Sequence, residues 1–514
     1  MALITQALPA YIQEAEVLLK GGRDLVIRIG IRALIHLGQA WMAFVFYDIE
    51  STGADRSFDQ ILQFAAVLTD DDLNVVDTFE IRSRLLPHIV PSPGAMLVTG
   101  VRVAQLFDPA LPSHFEMCRR IHEVMSSWSP ATVVGYNSLA FDEEMLRRAF
   151  YSSLLPIYLT NTGGNSRLDI LPLMIATHAF APGGLNWPVN EKGRVSFKLD
   201  RLAPANGFDH TDAHDALADV HATIHLARLV RAHAPLIWQS AMAYRTKALA
   251  TEYVEDQPAF VATLLRFARC VPSLVTALGI NPENSSELFT LDLRQDPVLL
   301  AAMTAEELSV HIKTKPRPVS SLKLNASPLF LPIEVAGPKA SGYEIGLDEI
   351  ARRAEQVRAD EGLRKRLIEA VVSSRAPFPE SPHLEEQIYG GFYSPGDQYL
   401  VDEFHKAEWP QRLEISGQFA DRRLRGLSRR LVYFDAPHVM PDKMRNTYAR
   451  AIAARIRARN EATRWVTLDE AIWDGETMLA DLALDDRQRL DEHLTKLRTW
   501  REEARQLLEV PIVG

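Results

Sequence analysis

The sequence predicts an α/β protein: a mixed sheet flanked by helices, then a smaller β-containing domain, then a helical C-terminal domain. Three observations carry that reading. Strand-like runs crowd the start and then alternate with amphipathic helices, the order of a sheet covered by helices. Between residues 250 and 340 the texture turns to short β-like pieces among Pro and Ser. From 347 onward the chain reads as helical.

FVFYDIE (44–50) is a short apolar run with aromatics and Val, which predicts a buried strand. QFAAVLTD (63–70) and VVDTFEIRSR (75–84) predict two more strands, joined by the acidic turn residues DDDLN, so the sheet opens as a meander. SHFEMCRRIHEVMSSW (113–128) has helical periodicity. TVVGYN (132–137) reads as a strand and DEEMLRRAFYSSLL (142–155) as a helix. RLDILPLMIATHAF (167–180) and FKLDRLAPANG (197–207) are expected to be helical. DALADVHATIHLARLVRAHA (215–234) is a long helix with Leu217, Val220, Ile224 and Ala227 on one face. ELFTLDL (287–293) is strand-like, and Leu490, Leu494, Leu497, Trp500, Ala504 and Leu507 keep helical spacing near the end. The expected divisions are an extension at 1–41, a first domain at 43–235, a β domain at 250–340 and a helical domain at 345–514.

The 514 residues are 47% hydrophobic and 24% charged, which excludes disordered, collagen-like and low-complexity chains. The two cysteines, Cys118 and Cys270, cannot build a disulfide framework or a four-thiolate zinc site, so a reducing, cytoplasmic location is expected. The net charge of −10 excludes bulk attraction to nucleic acid. Such binding would need local basic patches, or metal ions held by carboxylates. No run reaches the ~18 apolar residues of a membrane span, and no membrane association is expected. LVIRIGIRALIHLG (25–38) is apolar but broken by Arg28 and Arg32, unlike the core of a signal peptide. Residues 1–41 read as a dispensable extension from an upstream start; an amphipathic partner or membrane-surface helix is the alternative.

The chemistry concentrates in five residues. Asp48 and Glu50 lie one residue apart on the first strand, and period two puts both carboxylates on one face. Two buried acids pointing the same way are costly, and a metal ion would relieve that cost. Asp142 follows the strand in GYNSLAFDEEM, where Asp142 or Ser138 could equally cap a helix. Asp219 sits one turn inside the long helix and could be a solvated surface acid. His214, in HTDAHDALAD, could be a surface or capping residue. A zinc site on His210, His214, His221 and His225 would need a helix unbroken from 210. The helix is expected to start near Thr211 or Asp212, and no cysteine joins that set.

Taken in order, D-x-E on a first strand, an acid after GYNSLAF, and H-x4-D at a terminal helix resemble the DEDD exonuclease superfamily, histidine subclass. The tyrosine subclass would carry Tyr where Asp215 stands. FYDIESTG, QFAAVLTD, PSPGAMLVTGV, GYNSLAFDEEM, NSRLDIL, GLNWP, SFKLDRLAPANG, HTDAHDALADVHATI and, far downstream, EEQIYGGFYSPGD resemble the exodeoxyribonuclease I family in the same order. The resemblance is dense over 43–232, thinner over 250–340 and patchy to the C-terminus.

The resemblance implies a ribonuclease H-like exonuclease domain, an SH3-like β domain and a helical domain. It implies processive 3′→5′ degradation of single-stranded DNA to 5′-mononucleotides, in DNA repair or recombination, by a monomer. Two Mg²⁺ ions, replaceable by Mn²⁺, would sit on hard oxygen ligands. Asp48 would bridge them, Glu50 and Asp219 would complete the water-activating site, and Asp142 would hold the second ion. His214 would take the proton from the attacking water. Glu50, Leu97, Val98 and Thr99 would touch the terminal nucleotide, although PGAMLVTGV (93–101) could also be an ordinary loop. Arg422, Arg423 and Arg425, with Arg429 and Arg430, read either as a solvated helix face or as the basic lining of a strand channel. The acidic C-terminal tail of single-stranded-DNA-binding protein is an implied partner, with Ala181 where a basic residue is expected. Two alternatives stay open: an RNA-directed or proofreading relative, and a non-catalytic single-strand-binding or docking protein.

Overall fold

The computed structural model describes residues 43–209, 215–266, 269–333, 345–375, 380–458 and 463–509. The extension 1–41, His210 and His214 lie outside the described residues.

The first sheet has five strands in the order β3-β2-β1-β4-β5. They are β1 (Phe44–Ser51), β2 (Ile61–Thr69), β3 (Val75–Arg82), β4 (Thr132–Gly135) and β5 (Ser166–Asp169). β1 pairs antiparallel with β2 and parallel with β4, so the sheet is mixed as expected. Its central strand is apolar on both faces because helices cover both. Phe44 and Phe46 join the cluster containing Val220, Ile224 and Ala227, whereas Val45, Tyr47 and Ile49 join the cluster of Met117, Ile121, Met145 and Leu146. By the same alternation Asp48 and Glu50 lie on the Phe44 and Phe46 side.

The helices about this sheet include α1 (Pro93–Thr99), α2 (His114–Ser127), α3 (Asp142–Ser152), α4 (Ile170–Phe180) and α5 (Ala216–His233). Segment 167–180 departs from the all-helical expectation. Its first residues form β5, which pairs with β4 from Thr132↔Ser166 to Gly135↔Asp169, and the helix starts only at Ile170. Asp169 caps that helix by accepting from Leu171 N–H. The long helix likewise begins at Ala216, later than expected, because the Asp215 carboxylate caps it. His210 and His214 of the four-histidine set lie outside the described residues, and His225 Nε2 is engaged by the Asn206 carbonyl.

The second sheet is antiparallel, ordered β10-β6-β7-β8-β9. Its strands are β6 (Phe260–Arg266), β7 (Arg269–Asn281), β8 (Asn284–Asp292), β9 (Val319–Lys323) and β10 (Phe330–Leu331). Helices α6 (Leu347–Ala359) and α7 (Glu361–Ser373) pack on it, since Val357, Leu363 and Leu367 share a core with Leu278, Phe289 and Leu291. The first helices after 345 thus complete the β domain.

The remaining helices include α8 (Pro395–Lys406), α9 (Arg422–Asp435), α10 (Asp442–Ile456), α11 (Leu468–Met478) and α12 (Leu484–Glu509). α9 buries Leu424, Leu427 and Leu431 with Phe115, Tyr151 and Leu154 of the first domain. Each such leucine contributes ~1.5–3 kcal/mol on burial, so this is a built interface. Leu490, Leu494 and Leu497 of α12 pack on Ile456, Leu468 and Ile472, and Val90 and Leu97 join them.

Candidate active site

Asp48, Glu50 and Asp219 meet where β1 passes α5. One carboxylate oxygen from each lies within 4.8 Å of the others, a spacing that suits a metal ion. Glu50 is buried and the other two are half-buried. The meeting is prepared by Asp215, which caps α5 through the N–H groups of Leu217 and Ala218. Its other oxygen accepts from Gln63 Nε2 at 3.0 Å and from the Arg82 guanidinium at 2.8 Å. Gln63 stands opposite Glu50 in the β1–β2 register. Asp215 therefore pins the start of α5 to β2 and β3, and Asp219 follows one turn later.

Asp142 arrives from the other side of β1, as the first residue of α3. Ser138 lies in a 3₁₀ turn and neither it nor Asp142 caps α3, whose N-cap position is Phe141 with no side-chain bond. The approach to α3 is held by buried Asp169, which accepts from Asn137 N–H at 2.8 Å and Leu139 N–H at 3.3 Å. Asn137 is left-handed, with φ of 59°. Gly135 is required there, because a Cβ would come within 2.4 Å of the Ser138 side chain.

The three acids DEE at the start of α3 have three different surroundings. Asp142 lies outside the 4.8 Å trio but close enough to raise both Asp48 and Glu50. Glu143 is buried, with one oxygen shared by Arg147, Arg167 and Thr160 Oγ1. Glu144 accepts from Tyr389 Oη at 3.0 and 2.9 Å. Tyr389 and the 94%-exposed Phe392 belong to the downstream EEQIYGGFY segment, so that segment stands beside the Asp142 helix.

Electrostatically the cluster is under strain without a cation. Burial pushes Asp48 well above the ordinary aspartate range, and Asp142, Asp219 and Glu50 push it further. Glu50 is raised to about 8, first by burial and then by Asp219, Asp142 and Asp215, with Arg82 opposing. Asp142 is also raised, first by burial and then by Asp169, Glu143 and Asp219, with a backbone hydrogen bond opposing. Like charges this close cannot all ionise alone, and a divalent cation on hard oxygen donors removes the conflict. The donor set therefore fits divalent metal.

The other expected residues fall differently. Leu97, Val98 and Thr99 lie on helix α1 rather than in a loop. Leu97 packs into the C-terminal core, Val98 is 54% exposed and Thr99 is half-buried. The arginine run is divided. Arg423 is buried, paired with Asp421, and donates to the carbonyls of Gln387 and Gly391. Arg425 is exposed but donates to the Phe419 carbonyl, and Arg422 is exposed. Neither a wholly solvated face nor a uniform basic lining describes them. Sequence reasoning passed over Asp169 because 167–180 read as all helix. It used Asp215 only to separate subclasses. Tyr389 and Phe392 were visible only as part of a family segment.

Comparison with known proteins places this geometry. The family model described as Exonuclease matches residues 45–227, and Exonuclease I C-terminal domain matches 382–504. Exodeoxyribonuclease I of Haemophilus influenzae is 30% identical over 418 residues, covering 77% of this chain and 86% of that protein. The Escherichia coli K12 protein of the same name is 29% identical over 407 residues, covering 76% and 85%. The E. coli Exonuclease I structure in complex with a dA16 oligonucleotide matches with a TM-score of 0.78 and 25% identity, over 90% of this chain and all of that one. Exonuclease I from Methylocaldum szegediense matches at 0.77 and 27% identity, over 91% and 100%. With two relatives matched over most of their length, and with a carboxylate cluster on β1 and α5, this chain belongs to the exodeoxyribonuclease I family.

Proposed function

We infer that the chain is a metal-dependent 3′→5′ exonuclease that degrades single-stranded DNA to 5′-mononucleotides. The single observation that carries this is the convergence of Asp48, Glu50 and Asp219 within 4.8 Å inside a chain of this family. The E. coli relative is known in complex with oligonucleotides, which supports the substrate class.

In the proposed mechanism Asp48, Glu50 and Asp219 would hold a divalent cation, and Asp142 would serve a second one. Mg²⁺ is the proposed ion, with Mn²⁺ as substitute. When bound, the cations supply an activated water and neutralise charge on the scissile phosphate. The protein's own work is positional. Asp215 sets α5 so that Asp219 meets β1, and Asp169 sets the turn that delivers Asp142. His214, just before the Asp215 cap, is the proposed acceptor of the water's proton. Val98 and Thr99 on α1 are proposed to meet the terminal nucleotide. Phe392, with Tyr389, is proposed to stack bases further along the strand, where base–aromatic stacking contributes ~1–3 kcal/mol per base. Arg422 is the member of its run best placed for a backbone phosphate, because Arg423 and Arg425 are engaged within the fold.

Processive action, a role in repair or recombination, a monomeric state, cytoplasmic location and docking to the acidic tail of single-stranded-DNA-binding protein complete the proposal. Among the described residues no helix is long and apolar enough to cross a membrane. The test is digestion of a 5′-labelled strand with and without Mg²⁺, on DNA, RNA and duplex. A ladder shortening from the 3′ end on single-stranded DNA alone is expected. Binding without shortening would favour a docking protein, and preference for RNA would favour the other nuclease reading.

A further inference from the structure

The carboxylate cluster leaves unused a second concave site, in the C-terminal helices. A cleft of about 550 Å³ is lined by Phe434, Tyr448 and Trp465 together with His88, Arg430 and Arg455. That volume is in the range of small-molecule sites. His88, Arg430, Phe434 and Arg455 also line an enclosed chamber of about 80 Å³ that reaches Phe58 and Asp59.

The charges of the cleft do not balance. Arg430 and Arg455 converge on one oxygen of Glu385, at 2.9 and 2.8 Å. Glu386 does not help, because it pairs with Arg464. Two guanidinium groups against one carboxylate leave one positive charge in excess. Nε and one terminal nitrogen of Arg455 are buried without a hydrogen-bond partner, as are Nδ1 of His88 and Oε2 of Glu385. Unmade hydrogen bonds of buried cationic donors are costly, and an anionic oxygen is the acceptor that also balances the charge.

The rings of the aromatic wall are stacked on neighbours. His88 stacks on Phe434 with ring centroids 4.9 Å apart and 4° between planes. Tyr448 stacks on Tyr433 at 5.3 Å, and Arg455 lies 4.4 Å from the Trp465 ring. Phe434, Tyr448 and Trp465 are all half-buried, so each keeps surface toward the cleft. A ligand matching both halves has a flat aromatic group and a phosphate.

We propose that this cleft is a second nucleotide-binding subsite, separate from the carboxylate cluster, that takes one nucleotide by its base on the Phe434–Tyr448–Trp465 wall and by its phosphate on Arg430 and Arg455. The proposal rests on the nuclease reading only for its ligand class. Strand digestion releases free mononucleotides, and an undigested strand carries the same unit.

The test uses the full chain in EDTA, so that nothing is hydrolysed. Calorimetry measures binding of 2′-deoxyadenosine 5′-monophosphate, deoxyadenosine, inorganic phosphate and a pentanucleotide. Tyr448→Ala removes part of the wall, and Ala451→Trp fills the cleft from an exposed position on α10 without deleting any contact. Thermal unfolding checks that both variants are folded. The monophosphate should bind without metal, more tightly than deoxyadenosine or phosphate, and both variants should weaken it roughly tenfold. If only the pentanucleotide is weakened, the strand is the source of the nucleotide. Affinities for both ligands unchanged in both folded variants would overturn the subsite. Digestion of a labelled strand in Mg²⁺ by the parent chain reads the nuclease assignment separately, so the two ideas fail in distinguishable ways.

Discussion

Glu143→Gln should cost the protein about 3 kcal/mol of stability and loosen the helix that delivers Asp142. Glu143 is 1% exposed, and its Oε1 accepts from Arg147 and Arg167 at 2.9 Å each and from Thr160 Oγ1 at 2.6 Å. Glutamine keeps the shape but removes the charge, leaving two guanidinium groups without their shared anion. Breaking a buried ion pair by removing one partner costs ~3–5 kcal/mol. The lower end applies here, because Arg147 keeps Glu144 at 3.6 Å and Arg167 keeps the Asn325 carbonyl. The assay is urea unfolding followed by circular dichroism, with strand digestion measured where the variant is still folded. Arg167→Met added to Glu143→Gln should cost less than the sum of the two single changes, since both remove one interaction. A loss below ~1 kcal/mol for Glu143→Gln would refute the reasoning, because an exposed pair contributes no more than that.

The sheet and the carboxylate trio are legible in the sequence because their signals are local. Period two fixes the shared face of Asp48 and Glu50, and the apolar stripe of α5 fixes its packing toward β1. Strand β5 is less legible. It has only four residues, runs directly into α4, and is recognisable as a strand only through its pairing with β4. The fates of Arg423 and Arg425 depend on carbonyls at Phe419, Gln387 and Gly391. The two partners of Arg423 lie more than thirty residues away along the chain, so no local pattern distinguishes buried Arg423 from exposed Arg422. Leu97 is similar: its helix is short, and its partners are on α11 and α12.

Three further outcomes are expected. His214→Ala should lose roughly 10²–10⁴-fold in rate and flatten the acidic limb of the pH–rate profile, with strand binding nearly unchanged; an unaltered rate at pH 7 would make His214 structural. Acid should loosen the packing of the 384–389 turn on α9 and α10 through Glu385: burial alone would raise its pKa, but Arg430 and Arg455 bring it down to about 2. That stabilisation is complete above the ordinary glutamate pKa of ~4.3 and is lost as pH falls through about 2, so Glu385→Gln should flatten the dependence of Tm on pH in this window. Phe392→Ala should weaken binding of single strands ~5–150-fold without changing Tm, since the ring is 94% exposed; unchanged affinity would remove it from the strand path.

The most direct test of the central claim compares the parent chain with Asp48→Asn over a Mg²⁺ titration, reading 5′-labelled strand digestion and, in EDTA, the melting temperature. Asp48→Asn should show no digestion at any Mg²⁺ concentration. Its metal-free Tm should be equal to or above the parent's, because the substitution removes a buried charge crowded by Asp142, Asp219 and Glu50. Near-parental digestion by Asp48→Asn at saturating Mg²⁺ would contradict that claim and place the active site elsewhere.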